Sequence, residues 1–325
     1  MSDVVVGIDL GGTNVKTAAV GADGRILGKD SRPTQSEGGP EAVMENMAGA
    51  VAGVLESAGV DRSRVQAVGI GAPGPMNWQT GIVYSPPNLP GWRDVPLAEA
   101  MSTRLGLPVY VDNDANVACY GEYWSGAGQG VDTMCLLTLG TGVGGGIVVF
   151  GRLLRGIDGT AAEIGHLKVM RDGRECGCGA KGCLEAYASV TGMVRTAKEG
   201  IDEGRDTLLT TLSGGDFDQL TGKMISDAAR QGDAFAEWVE RETAVWIGIG
   251  ISSLINLLNP ERVVLSGGMI AAGEALFAPV RETAKALSFD VPARRCEIVP
   301  AGLNEDAGVV GAAACAMDRH AGNVR

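Results

Sequence analysis

Residues 4–20 read VVVGIDLGGTNVKTAAV, and residues 133–151 read TMCLLTLGTGVGGGIVVFG. Each is an apolar run of strand length, then a glycine turn, then a second apolar run. A glycine turn between two strands leaves a row of backbone N–H groups unshielded by side chains, and such a row can wrap phosphate oxygens. It can equally be a tight hairpin in which glycine only supplies positive φ. The recurrence of the unit about 130 residues apart predicts a duplicated α/β architecture with one phosphate-sized turn in each half.

Working outward from the first unit, residues 40–60 carry Val43, Met47, Ala50, Val51, Val54 and Leu55 on one helical face. Residues 65–71 read as a strand. Asp94 is placed to cap a helix ending near Gly106, with a strand at 108–112 after it. Beyond the second unit, whose strands are expected at 133–139 and 146–150, the last third is mostly helical. Strands are expected there at 262–266 and 295–300. Strands in meander followed by alternating α and β elements predict a mixed α/β sheet.

The composition narrows the function. A chain of 325 residues is long enough for two domains, and 45% apolar with 20% charged residues is a globular balance. Glycine, at 50 residues, is about twice its usual share; the clusters between apolar runs read as working turns. A net charge of −12 argues against nucleic acid or an anionic membrane as partner, so an anionic ligand must be met by local backbone donors. The first ten residues, MSDVVVGIDL, show no secretory signal. The longest uncharged stretch, 243–260, carries Ser252, Ser253 and Asn256 and reads as a buried helix. Within the surrounding helical pattern, Trp238, Val245, Trp246, Ile249 and Leu254 form either core or a subunit contact, and core is the expectation because a two-domain chain needs a central helix. The chain is expected to be soluble and cytoplasmic.

Two nucleotide motifs fail on context. GxxxxGK[ST] does not occur. GTGVGG at 140–145 and GIGAPG at 69–74 both satisfy GxGxxG, but a dinucleotide site needs a helix next. Residues 146–150 read as a strand, and Pro73 and Pro75 break the other candidate.

Two clusters carry chemistry. In VYVDNDANVACYGE (109–122), Asp112, Asn113 and Asp114 sit at a strand-to-helix junction. They either compete to cap the helix or place a carboxylate at the carboxyl end of a strand, where open α/β sheets bind ligands and where it could accept a hydroxyl proton. In ECGCGAKGCLE (175–185), Cys176, Cys178 and Cys183 follow His166 with the spacing H-x9-C-x-C-x4-C. Three thiolates and one imidazole make a closed, structural zinc site, in keeping with an odd cysteine count and a reducing compartment. Cys119, Cys135, Cys296 and Cys315 stand alone and read as small core residues. Glu163 and Glu185 flank the cluster. They are either solvated surface charge or the edges of a hydrogen-bonding cradle for a polyhydroxylated ligand.

DLGGTN, the GTGVGGG turn, EIGH and CGCGAKGCLE occur here in the order in which they occur in the ROK family of bacterial sugar kinases, and the chain resembles that family from residue 5 to about 314. Within it, PNLPGW at 87–92 makes the chain most similar to ATP-dependent glucokinases. The resemblance implies an actin-like ATPase (ribonuclease H-like) fold of two α/β domains with a central cleft. The smaller domain would take residues 1–113 plus a C-terminal helix at about 306–325, and the larger 114–305. Asp9, Gly11, Gly12, Thr13, Asn14 and Lys16 would serve ATP and its Mg²⁺ from the first turn, Thr141, Gly142 and Gly144 from the second, and Gly267 and Gly268 from the adenosine side. Asp114 would be the base acting on the sugar 6-hydroxyl. Gly74, Asn88, Asn113, Glu163, His166 and Glu185 would hold the sugar beside it, with His166 also a ligand of a structural Zn²⁺ together with Cys176, Cys178 and Cys183.

The partners implied are a hexose, first of all D-glucose, and ATP, in a homo-oligomer, dimer or tetramer. The first strand begins at Val4, which leaves no room in this sequence for the helix-turn-helix extension of the family's repressors. A kinase for N-acetylmannosamine or N-acetylglucosamine, a polyphosphate-dependent glucokinase and a non-catalytic sugar sensor remain open alternatives.

Overall fold

The computed structural model describes residues 3–86 and 88–323; Pro87, the first residue of PNLPGW, lies outside the described residues. The chain opens with strands β1 (Val4–Leu10), β2 (Asn14–Gly21) and β3 (Ile26–Pro33), then helix α1 (Gly39–Ser57) and β4 (Val65–Ala72). A small sheet of β5 (Met76–Asn77), β6 (Ile82–Val83) and β7 (Val95–Pro96) leads into α2 (Leu97–Leu105), β8 (Val109–Asn113) and α3 (Asp114–Ser125). Next come β9 (Met134–Leu139), β10 (Val143–Val149) and β11 (Arg152–Leu153). A helical stretch follows with α4 (Glu185–Ala188), α5 (Val190–Asp202), α6 (Leu209–Leu212), α7 (Gly222–Arg230) and α8 (Ala234–Leu258). After it come β12 (Arg262–Ser266), α9 (Glu274–Ala286), α10 (Asp290–Arg295), β13 (Glu297–Pro300) and α11 (Ala307–His320).

The strand orders carry the duplication. One sheet runs β3-β2-β1-β4-β8 and the other β11-β10-β9-β12-β13. In the first, β1–β2 and β2–β3 are antiparallel while β1–β4 and β4–β8 are parallel. The second repeats the plan, with β10–β11 antiparallel and both β9–β12 and β12–β13 parallel. Strand β1 shows why its sequence is an almost unbroken apolar run: both faces of a covered parallel sheet are dry. Val4, Val6, Ile8 and Leu10 face α1, meeting Val43, Met47, Val51 and Val54. The alternate residue Val5 joins Ala18 and Ala67 against Val309, Val310 and Ala313 of α11.

Helix α11 is built of small residues because backbone must touch backbone. A Cβ added at Gly7 or Gly69 would collide with the carbonyls of Val309 or Ala312, and one at Gly311 with the carbonyl of Val117 in α3. Some of the surplus glycine is therefore packing surface as well as turn.

Two compact units result. The first takes the chain up to Asp132, Gly146–Ala162, and the chain from Ala301 onward; the second takes Thr133–Gly145 and Glu163–Pro300. The boundary expected at 113/114 thus falls at 132/133, because α3 is locked onto α11. The stretch 146–162 also returns to the first unit.

Other local expectations change as well. Asp94 adopts φ 51° and caps nothing; α2 starts at Leu97, after Pro96, and ends as expected at left-handed Gly106. The strand expected at 146–150 begins at Val143, so Gly144 and Gly145 are strand residues and the turn is Gly140-Thr141-Gly142. Arg295 ends α10, and β13 starts at Glu297. On α8 the dry face is Val239, Ala244, Ile247, Ile251 and Leu254; Trp238 is exposed, and Val245, Trp246 and Ile249 are half-buried. Among the described residues no helix is long and apolar enough to cross a membrane.

Candidate functional site

In the first unit the DLGGTN turn is closed by one bond of its own and held from outside by Thr34. Gly11 N donates to Asn14 O at 3.0 Å, Thr34 N to Thr13 O at 2.8 Å, and the buried Thr34 hydroxyl to Gly11 O at 2.6 Å. Asn88 abuts Gly12, where an added Cβ would stand 3.0 Å from the Asn88 Cβ. Asp9 pairs in register with Lys16 across the hairpin. Burial raises its carboxyl above the ordinary 3.8, with Lys16 pulling the other way. Lys16 also reaches exposed Glu305 at 3.3 Å. Gly74 follows β4 at φ 79°.

At the β8–α3 junction the three polar residues divide their tasks. Asn113 is the N-cap, its Oδ1 accepting from Ala115 N and Asn116 N at 2.9 and 3.2 Å. Asp112, 2% exposed, accepts from Arg155 Nε at 2.6 Å and from Asn113 N at 2.9 Å. Arg155, 8% exposed, lies under Trp78, 4.8 Å from the ring centre. Burial opposes the guanidinium charge, and Asp112 together with Cys315 and Tyr120 outweighs it, leaving the Arg155 pKa raised. Asp114, half-buried, occupies the first helical position, its Oδ1 accepting from Ala115 N at 2.8 Å. A carboxylate there is favoured by the helix dipole.

In the second unit the glycine turn is tied to α5. Gly140 N donates to Gly142 O, Val190 N to Gly140 O, and the Thr191 hydroxyl to Thr141 O at 2.8 Å. Glu185 is no solvated surface charge. Its Oε2 accepts from Val143 N at 2.9 Å, in space that a side chain at Gly142 would need, and its Oε1 lies 3.4 Å from Cys176 Sγ. Thr141, Gly142, Glu185, Cys176, Thr191 and Arg195 line a cavity of about 360 Å³. Gly267, at φ 93°, packs on Leu139, the last residue before this turn; Gly268 follows it.

The ligand atoms of His166, Cys176, Cys178 and Cys183 lie within 4.8 Å of one another. Two bridges shape the loop, Lys168 with Cys183 and Glu175 with Lys181. Lys168 Nζ donates to Cys183 Sγ at 2.7 Å. Burial pushes the Cys176 thiol up to about 12, while the backbone N–H of Ala180 holds Cys178 down. Glu163, exposed, precedes the single turn of 164–166, and left-handed Ala162 precedes it at φ 65°. Cys119, Cys135, Cys296 and Cys315 are buried thiols outside any disulfide.

Thr34, Arg155 and Lys168 join these sites only in the folded chain. Lys168, two residues from His166, was near enough to notice; nothing in the sequence ties Arg155 to Asp112, 43 positions away.

Comparison with known proteins follows these motifs. The chain is 42% identical over 310 residues to a glucokinase of Halalkalibacterium halodurans, covering 94% of this chain and 92% of that one. It is 41% identical over 320 residues to a glucokinase of Thermotoga maritima, covering 98% of each. The crystal structure of a ROK family glucokinase from Streptomyces griseus in complex with glucose and AMPPNP superposes with a TM-score of 0.79 at 41% identity, over 97% of this chain and 99% of that one. The duplicated sheets are those of the actin-like ATPase fold. The family model described as ROK family matches residues 5–319, and the chain belongs to the ROK family.

Proposed function

We propose that this chain, a sugar kinase, transfers the γ-phosphoryl group of ATP to the 6-hydroxyl of D-glucose, with Asp114 as general base. The observation that carries the assignment of the base is the division of tasks at the β8–α3 junction. Asp112 is held in a buried ion pair and Asn113 caps the helix, while Asp114, half-buried, opens α3 directly beyond the carboxyl end of a parallel strand, where open α/β sheets bind ligands. Likeness to glucokinases, one of them bound to glucose and AMPPNP, supports the substrates.

Gly74, Asn88, Asn113, Glu163, His166 and Glu185 are the residues assigned to the sugar. ATP falls to Gly11, Gly12, Thr13, Asn14 and Lys16, to Thr141, Gly142 and Gly144, and to Gly267 and Gly268. Phosphoryl transfer has a loose transition state, so the protein's work is positioning and charge stabilisation. Backbone N–H groups in the two turns offset phosphate charge, which lets a chain of net charge −12 bind ATP. Asp114 accepts the hydroxyl proton as the new O–P bond forms.

Asp9 fits a cation: it is a carboxylate raised by burial, and Mg²⁺ held there would offset phosphate charge. The His166, Cys176, Cys178 and Cys183 set fits Zn²⁺ in number, type and proximity, and the ion would serve structurally, pinning the loop between Glu163 and Glu185. The reading includes a cytoplasmic homo-oligomer, dimer or tetramer, whose mass in solution sedimentation checks.

Asp114→Asn tests the base. Turnover on glucose should fall by roughly 10²–10⁴-fold with the fold intact; near-normal turnover would remove Asp114 from this role.

A further inference from the structure

Asp112 and Arg155 form an ion pair in the dry interior of the first unit, where such a pair contributes little to stability. Two charges taken from water lose hydration that their attraction only partly repays, and apolar residues of similar volume are often as stable. Its geometry is specific nonetheless. Arg155 Nε donates to one carboxylate oxygen of Asp112 at 2.6 Å. The other oxygen accepts from Asn113 N at 2.9 Å and from Asn116 Nδ2 at 3.3 Å. These are the residues on either side of the Asp114-Ala115 step, and Asn113 is also the cap that sets where α3 begins. The guanidinium is fixed in turn by the Trp78 ring over it and by Cys315 Sγ, 3.9 Å from Nη2. Gly159 closes against the same tryptophan, an added Cβ there standing 3.1 Å from Trp78 Cδ1.

We infer that Arg155 is a positioning residue for phosphoryl transfer, fixing through Asp112 the backbone at Asn113–Asn116 and with it the direction of the Asp114 carboxylate. The inference rests on Asp114 being the base. Arg155 touches none of the residues assigned to sugar or ATP through any described hydrogen bond; it acts by holding Asp112 in one rotamer. A general base must sit within hydrogen-bond reach of its proton, and displacement of about 1 Å can cost on the order of 10²-fold in rate. The segment that delivers Arg155, Gly146–Ala162, runs straight on into Glu163 and His166. One stretch of chain therefore supports the base and leads into the residues assigned to the sugar.

The test separates positioning from stability. Arg155→Met alone leaves a buried unpaired carboxylate, and Asp112→Asn alone a buried unpaired guanidinium; either can unfold the chain. The double variant Asp112→Asn/Arg155→Met removes both charges of the pair together, leaving half-buried Arg319 on the Trp78 ring, and is the decisive protein. Steady-state kinetics with ATP and glucose should show kcat at least tenfold below the parent, KM for both substrates within about twofold, and a thermal midpoint close to the parent's. Arg155→Lys, which keeps the charge but loses the planar fork, should fall between the two in kcat. A folded double variant with parental kcat would overturn the inference and leave the pair a packing feature. Asp114→Asn, measured alongside, distinguishes the failures. If that variant stays active, the base assignment is wrong; if it is inactive while the double variant turns over normally, only the role of Arg155 is.

Discussion

Asp9 carries a conflict between stability and function that pH exposes. Its carboxyl is raised by burial above the ordinary 3.8, Lys16 countering only in part. A raised acid binds its proton more tightly in the folded state, so its stabilising contribution is whole below about pH 3.8 and is lost as pH rises through the folded value. At neutral pH the charge is a burden on the cation-free protein. Asp9→Asn should therefore raise the thermal midpoint at pH 7, with the difference vanishing near pH 3, while phosphoryl transfer falls. A lower midpoint at pH 7 would mean that Lys16 more than compensates for burial. Ala162 is a point of backbone strain, a left-handed alanine at φ 65° immediately before Glu163. Ala162→Gly should stabilise by roughly 0.5–1 kcal/mol, the relief of the methyl clash less the added entropy of the unfolded chain. Urea denaturation reads this, and an unchanged midpoint would show that the loop already relaxes around the methyl.

Among elements, the loop from His166 to Cys183 depends most on something other than its own core. Its two bridges and its glycine turns bring four ligand atoms within 4.8 Å, yet Cys178 is exposed and little apolar surface is buried there. Cys178→Ala should take bound zinc from one equivalent per chain to none after dialysis, weakening the site by more than the roughly 10–100-fold that loss of an outer hydrogen bond costs. Metal content equal to the parent's would sink the zinc assignment. The KM for glucose should rise as well, because Glu185 lies 3.4 Å from Cys176 Sγ and Glu163 precedes His166 by three residues. The α3–α11 pair is the opposite kind of element, held by close backbone approach at Gly311 and needing no ligand.

Across the whole molecule, the features legible in the sequence were those written in short-range pattern. Strand–turn–strand units, the 3.6-residue period of α1 and the His–Cys spacing each lie within one stretch of chain, and the sheets and the cluster follow them. What escaped was set by partners far away in sequence. Asp94 lost its capping role because Asp94 N pairs with Tyr84 O in a left-handed turn ahead of Pro96. The domain boundary moved because α3 meets α11 almost two hundred residues later. Thr34 and Arg155 could not be read as supports of the first glycine turn and of Asp112, since no periodicity links them to those sites. Trp238 and Trp246 of α8 depart from the expected core for a related reason: both side chains are apolar, and only packing shows that Val239, Ile247 and Ile251 face inward.

The central claim is a sugar kinase acting on glucose, and coupled ADP release with ATP and Mg²⁺ tests it most directly. Purified protein with zinc bound would be assayed on glucose, N-acetylmannosamine, N-acetylglucosamine and fructose, because specificity is a ratio of kcat/KM values. Glucose should lead the acetamido sugars and fructose by at least tenfold. An acetamido sugar in first place would contradict glucose while keeping the chemistry, and folded protein that releases no ADP with any sugar would contradict the kinase itself.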